Sequence, residues 1–266
     1  MLFHQQTLDL FGRVAEFSDA RRGVLAERER MSGVRFPASV AEWYSLDGPA
    51  DMLAAYSAQD HPLPLEQLGE LVSGPFAGRA DCGEPFPAAP PQVLVVLIEN
   101  QAVYYWGVAI DRTLRADPPV YVLDRSPREV EQRWQPYTRS FSALVFTQVW
   151  TWQPHTGPWL QVFGALRQEQ VVRYQTMFMM LPTTYGGSAP VTYRFDRGVA
   201  EQRVAIWHDA GRAEQDCWWL WARSDAAMQS LVQGLWPDGA YPECETWDMT
   251  EAGVRGLRSL GFSIRN

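Results

Sequence analysis

The sequence predicts an α+β protein: a central antiparallel sheet with flanking helices, extended by a C-terminal α+β segment. Three observations carry that expectation. Apolar residues recur at helical spacing in the first part of the chain, the middle switches to continuous or alternating apolar runs of strand length, and the C-terminal part mixes both periods. The 266 residues are 46% apolar, enough for a sizeable core. The longest strongly apolar runs, 93–98 and 177–181, fall far short of the ~20 residues of a membrane span.

A helix is predicted over 7–31 from Leu10, Val14 and Phe17. A second begins at Phe36-Pro37, since proline suits the first helical position and Val40, Trp43, Tyr44 and Asp47 then fall on neighbouring positions. Asp47-Gly48-Pro49 breaks it, and 50–56 reads as a further short helix. After a loop marked by Pro85, Pro87, Pro90 and Pro91, residues 93–98 and 102–110 form a hairpin across Glu99-Asn100-Gln101. Tyr104, Trp106, Val108 and Ile110 share one face of its second arm. Pro118-Pro119 introduces a third strand over 120–123. Ser126-Pro127-Arg128-Glu129 has the form of a capping box, predicting a helix through Val130 and Trp134 that stops at Pro136. Phe141, Leu144, Val145, Val149 and Trp152 outline a longer amphipathic helix.

In the C-terminal part, 159–170 is predicted helical, 191–196 a half-buried strand, and 203–207 with 216–222 a second hairpin. Ser224 caps a helix bearing Met228, Leu231, Val232 and Leu235. Thr250 caps the last helix, which ends in a Schellman turn at Gly261-Phe262. The expected organisation is a core over 1–155 and an extension over 156–266, packed on it as one unit.

Composition removes whole classes of chemistry. All 23 basic residues are arginine, which excludes a Walker A lysine, a Schiff-base lysine and a lysine general base. Asparagine occurs only at Asn100 and Asn266, and the scarcity of lysine and asparagine reads as the GC-rich coding bias of a bacterial genome. The net charge is −8, and dividing the chain at residue 150 gives 13 Arg against 19 acidic residues, then 10 against 12. Both halves are acidic, so neither a nucleic acid nor a membrane is an expected partner. Cys82, Cys217 and Cys244 form no C-x-x-C pair, and His4, His61, His155 and His208 lack ligand spacing. Inert buried thiols are therefore expected, with a three-cysteine site completed by His208 as the metal-binding alternative; no cofactor is expected. The N-terminus carries no readable secretory signal, which gives a cytoplasmic expectation.

Four blocks resemble a known family. Phe36-Pro37-Ala38-Ser39-Val40-Ala41-Glu42-Trp43-Tyr44-Ser45-Leu46-Asp47-Gly48 is similar to the opening helix of SMI1/KNR4 (SUKH) proteins. Leu97-Ile98-Glu99-Asn100-Gln101 followed by Tyr105-Trp106-Gly107-Val108 resembles their central hairpin, Asp117-Pro118-Pro119-Val120-Tyr121 their next strand, and 141–152 their closing helix. The likeness covers roughly residues 7–152. Phe36 stands where leucine is usual, Asp47-Gly48 where Asn-Gly is common, and Ala102 where glycine is expected; a turn needing φ > 0 would then place Asn100 in the left-handed region. The resemblance implies an SMI1/KNR4-like sheet with flanking helices and no catalytic residues. Bacterial members are frequently immunity proteins that neutralise polymorphic or contact-dependent toxins, and fungal relatives are signalling scaffolds.

The functional expectation is a non-catalytic protein-binding protein of the immunity kind, whose partner is a protein, a basic toxin domain fitting the acidic charge. A signalling scaffold is the alternative of the same class, and an unrecognised hydrolase that of another. For the hydrolase, Glu99 with Asp111 or Asp117 with Asp124 would have to converge, whereas His208-Asp209 are mere sequence neighbours. For binding, Trp43, Asp47, Asn100 and Trp106 are nominated as a groove region, although Trp106 also suits the core. The stretch 237–251 brings Asp238, Tyr241, Glu243, Glu245, Trp247 and Asp248 without an arginine, an acidic and aromatic surface that could steer and anchor a basic partner. In Cys217-Trp218-Trp219-Leu220-Trp221, alternation puts Trp219 and Trp221 on one face and Trp218 and Leu220 on the other. Burial on both sides is one reading, and an aromatic surface for a partner is the other.

Overall fold

A computed structural model describes residues 1–12, 14–49, 51, 53, 60–76, 92–110, 115–125, 133–152, 157–164, 168–185, 191–197, 202–208 and 216–265. The fold is α+β, with two mostly antiparallel sheets and helices against them. The chain forms two compact units, Met1–Pro154 with Thr184–Ser188, and His155–Thr183 with Ala189–Asn266. Among the described residues no helix is long and apolar enough to cross a membrane.

The first unit begins with α1 (Gln5–Phe11), α2 (Asp19–Ser32) and α3 (Ala38–Ser45). The single helix expected over 7–31 is thus two. Gly12 takes a left-handed conformation that ends α1, and the Ser18 hydroxyl accepts the Arg21 N–H to start α2. Between them the backbone pairs with the end of α3: Ser18 N–H donates to Ser45 O and Asp47 N–H to Glu16 O, both at 2.9 Å. Val14 and Phe17 are consequently both exposed. Pro37 caps α3 from outside rather than opening it. Most of 50–56 lies outside the described residues.

The sheet of this unit has the order β1-β3-β4-β5-β6, with β2 also on β3. Its strands are β1 (Asp60–Pro62), β2 (Leu71–Val72), β3 (Gln92–Glu99), β4 (Tyr104–Ile110), β5 (Val120–Asp124) and β6 (Trp134–Thr138). The hairpin and third strand are those read from the sequence, and α4 (Phe141–Trp152) is the amphipathic helix. Ser126–Glu129 and Val130 lie outside the described residues, but Trp134 is in a strand, not a helix. The pairing of 134–138 with β5 satisfies that backbone, and β6 is an edge strand, where Pro136 removes no needed donor. Both faces of the sheet are buried. Leu94, Val96, Trp106, Val108 and Val120 meet the helices, whereas Val93, Val95, Ala109, Tyr121 and Trp134 form a second cluster behind. This double burial explains the uninterrupted apolar run of β3. A bulge between Val95 and Leu97 puts Val96 and Leu97 on the same side. Gly107 is required by contact: a Cβ there would lie 2.2 Å from Val93 Cγ1 and 2.8 Å from Leu94 O.

The hairpin turn corrects one expectation. Ala102, not Asn100, adopts positive φ (56°), with its N–H on Glu99 O at 2.7 Å. The Glu99 carboxylate accepts the Gln101 and Val103 N–H groups and so holds the alanine in place.

Residues 2–4 are clamped onto α3. The Glu42 carboxylate accepts the N–H groups of Leu2, Phe3 and His4 at 2.8, 2.9 and 3.0 Å. His4 is fully buried, its Nε2 donating to Ser39 O at 2.8 Å and its ring 5.1 Å from that of Trp43. Burial depresses the His4 pKa, outweighing the opposing pull of Ser39 O, Glu42 and Asp117. Burial alone would raise the Glu42 carboxyl, but its three N–H donors together hold it below the ordinary value.

The second unit contains β7 (Trp159–Phe163), α5 (Gln168–Met177), β8 (Met179–Thr184), β9 (Val191–Asp196), β10 (Gln202–His208), β11 (Cys217–Ala222), α6 (Asp225–Leu235), β12 (Glu243–Trp247), α7 (Glu251–Leu260) and β13 (Ser263–Ile264). Their sheet order is β13-β12-β7-β11-β10-β9-β8. The helix expected over 159–170 is a strand followed by the start of α5, because 159–163 finds partners on both sides in β11 and β12. Ser224 and Thr250 cap α6 and α7 as expected. The Schellman turn is present: Phe262 N–H donates to Leu257 O and Gly261 N–H to Arg258 O. Leu160, Val162, Val204, Ile206, Trp218, Leu220 and Cys244 form the sheet side of the core, against Tyr174, Met228, Leu231, Val232, Leu235 and Leu257.

Two stability predictions follow from the first unit. Ala102→Gly relieves a left-handed alanine at some entropic cost and should raise stability by up to about 1 kcal/mol in chemical denaturation. The pH dependence has two stages. A depressed His4 pKa gives stability that is complete above 6.5 and lost as pH falls from there toward the lowered value. Glu42 adds a contribution present above 4.5 and lost as pH falls through its own depressed value. His4→Gln, which keeps a donor for Ser39 O, should abolish only the upper stage in melts recorded across pH.

Candidate functional site

The second sheet is asymmetric. Alternation along β11 sends Trp218, Leu220 and Ala222 into the helical core and leaves Cys217, Trp219 and Trp221 on the opposite face. Register carries this face across neighbouring strands. Trp221 pairs with Trp159 and Trp219 with Gln161 on β7; Trp159 in turn pairs with Trp247 and Gln161 with Glu245 on β12. Four tryptophans from three strands therefore share one surface, each half-buried.

Their rings stand in a ladder. Trp159 stacks on Trp247 with centroids 3.9 Å apart and planes 9° from parallel, and on Trp219 at 5.5 Å and 7°. Trp219 continues to Trp221 at 6.3 Å. Both faces of the Trp159 ring are thus occupied by other indoles. Such stacking excludes a sugar ring or base from that ring's faces, and each pair adds about 0.5–1.5 kcal/mol beyond simple burial.

Polar groups border the ladder. Gln161 Nε2 donates to Cys217 Sγ at 2.9 Å. Arg265 pairs with Glu243 at 2.5 Å while its guanidinium lies 4.6 Å from the Phe163 ring centroid. On the far side Arg203 bonds Asp196 at 3.3 Å, largely out of water, and burial lowers the arginine's pKa against the opposing pull of that aspartate. Burial pushes the Cys217 thiol up despite hydrogen bonds from Gln161 and Trp219, and raises Cys244 to about 12 with help from Glu243 and Glu245. Both thiols are therefore poor nucleophiles at neutral pH.

The nominated residues separate into distinct environments. Glu243, Glu245 and Trp247 fall on the tryptophan face, and the stretch read as an acidic segment is in part the strand β12. Asp238 lies in an exposed turn, Asp248 is exposed with φ 55°, and Tyr241 turns to the core side, its ring 4.4 Å from Phe262. In the first unit Trp43 and Trp106 are buried in the helix-facing core, so they form no groove surface. Asp47 is exposed beyond α3 and Asn100 in the hairpin turn. Trp159 was hidden by the helical reading; only its spacing from Gln161 and Phe163, a period-two pattern, signalled a strand face.

The other chemical candidates are also placed. Cys217 faces the ladder and Cys244 the helices, so the two cannot share a metal, and Cys82 lies outside the described residues. Among the described residues no group of three His, Cys, Asp or Glu side chains could hold a metal ion. Asp117 and Asp124 sit at opposite ends of β5, where Asp117 caps α4 through the Ser142 N–H and hydroxyl; Asp111 lies outside the described residues. Sequence reading missed one pair: His208 Nδ1 lies 2.9 and 3.1 Å from the buried Asp216 carboxylate. It joins the ends of β10 and β11, and no hydroxyl or thiol among the described residues hydrogen-bonds to this imidazole.

Comparison of the chain with protein-family models, curated protein sequences and solved structures returns no match. The SMI1/KNR4 resemblance accordingly rests on its own residues.

Because Trp159 joins three strands, Trp159→Ala should destabilise the second unit by about 2–4 kcal/mol in denaturant titrations. Substituting Trp221, at the end of the ladder, should cost about half as much.

Proposed function

We propose that this is a non-catalytic protein-binding protein of the immunity kind, which occludes a basic toxin domain in the bacterial cytoplasm through the tryptophan face of its second sheet. The observation that supports it best is the ladder of four half-buried tryptophans beside Glu243 and Glu245. Tryptophan is favoured at the energetic centre of protein interfaces, where large, rigid area is desolvated at little entropic cost. With both faces of Trp159 taken by other indoles, the middle of the ladder offers indole edges, which suit a shape-complementary protein better than a stacked sugar. A net charge of −8 would speed encounter with a basic partner. The immunity role itself comes from the resemblance of residues 7–152 to SMI1/KNR4 proteins.

The hydrolase reading draws on one observation, the His208–Asp216 pair, which has the form of an oriented base. The lack of a nucleophile bonded to it among the described residues favours a structural tie between β10 and β11.

The test is affinity capture from the source cells by the wild-type chain and by Trp219→Ser/Trp221→Ser, followed by expression of the captured protein alone and with this chain. The expected result is a basic partner held stoichiometrically by the wild type, released by the variant, toxic alone and harmless on co-expression. Retention by the correctly folded variant, or a partner harmless by itself, would overturn the proposal.

A further inference from the structure

The first unit contains an open cleft of about 590 Å³, bordered by residues 2–3, α2, α3 and the end of β4. This size is typical of small-molecule sites. Leu25, Phe36 and Ile110 give it apolar walls, and Leu2 and Phe17 stand at 87% and 43% exposure, apolar groups left in water around it.

The charges lining it are not equivalent. Glu29 accepts the Phe36 N–H at 2.7 Å, and Glu42 accepts the three N–H groups of residues 2–4. Glu42 thereby has both oxygens on backbone donors, and Glu29 has one of its two. Arg35 also lines the cleft, is exposed, and has no hydrogen-bond or ion-pair partner among the described residues. Arg115 places a second guanidinium on the lining. An apolar cleft whose acids are engaged and whose arginine is available selects an apolar body carrying negative charge. A guanidinium binds a carboxylate through two parallel N–H···O bonds, which a neutral or cationic head cannot reproduce.

We propose that this cleft binds an amphipathic organic anion, an aliphatic or aromatic carboxylate whose apolar part lies against Phe36 and Ile110 and whose carboxylate is held by Arg35. The site is independent of the tryptophan face, so it stands whatever the partner of the second unit is.

Isothermal titration of the full chain with dodecanoate, below its micelle concentration, tests this directly. Saturable one-to-one binding is expected, with dodecyltrimethylammonium at least tenfold weaker. Arg35→Gln should raise the dissociation constant about tenfold, the loss of one charge-assisted contact. Ala38→Trp, an exposed position on the lining, should block uptake. Because both positions are exposed, unchanged melting curves are expected to show that the variants fold. Absence of saturable binding, equal affinity for the cationic amphiphile, or indifference to both substitutions would overturn the proposal.

Discussion

The alternation of side chains along β11 is the constraint on which the second unit depends. Among the described residues, helices α5, α6 and α7 pack against one face of the sheet, and Trp218 and Leu220 fill it. Trp219 and Trp221 must then stand on the other side, and register with β7 and β12 brings Trp159 and Trp247 beside them. The first unit solves the same problem differently. Its β3 is apolar on both faces too, but Tyr121, Leu123 and Trp134 complete a second cluster behind the sheet, so that little of that strand's apolar surface is left for a partner. The same kind of strand is thus a core element in one unit and a surface in the other, according to what covers its second face.

What the sequence made legible was local. The β3–β4 hairpin declares itself by β-favouring residues on both arms, and the caps at Ser224 and Thr250 need only a hydroxyl three residues before a backbone N–H. The misread elements share a cause. Residues 159–163 and 134–138 have apolar spacings compatible with a helix, and only partners distant in the chain decide for a strand. The ladder was half legible: alternation gave the common face of Trp219 and Trp221, but no local pattern could bring Trp159 and Trp247 to it. The His208–Asp216 bond and the grip of Glu42 on residues 2–4 were invisible for the same reason. Trp43 and Trp106 show the converse limit, since tryptophan in an amphipathic element marks a core position as readily as a contact.

The acidic balance of the chain also has more structural content than its total suggests. Glu29, Glu42, Glu99 and Asp117 each accept backbone N–H groups that lack a partner in regular structure. Glu243 is neutralised by Arg265 and Asp196 by Arg203. Asp238 and Asp248 remain exposed. The net charge of −8 is what remains after such pairs, and its exposed carboxylates are spread over both units, at Asp9, Asp19, Asp47 and Glu66 as well as at Asp238 and Asp248.

The position of β7 bears on how the second unit is assembled. This strand comes first in the unit's sequence yet lies between β11 and β12, both contributed much later by the chain. During synthesis it emerges with two open edges and a tryptophan, and neither neighbour exists until most of the remaining polypeptide has followed. High contact order of this kind slows folding and prolongs the interval in which an apolar edge can find the wrong strand. Until the last strands arrive, the indole row that gives the finished sheet its cohesion exists only as separate tryptophans on unpaired strands.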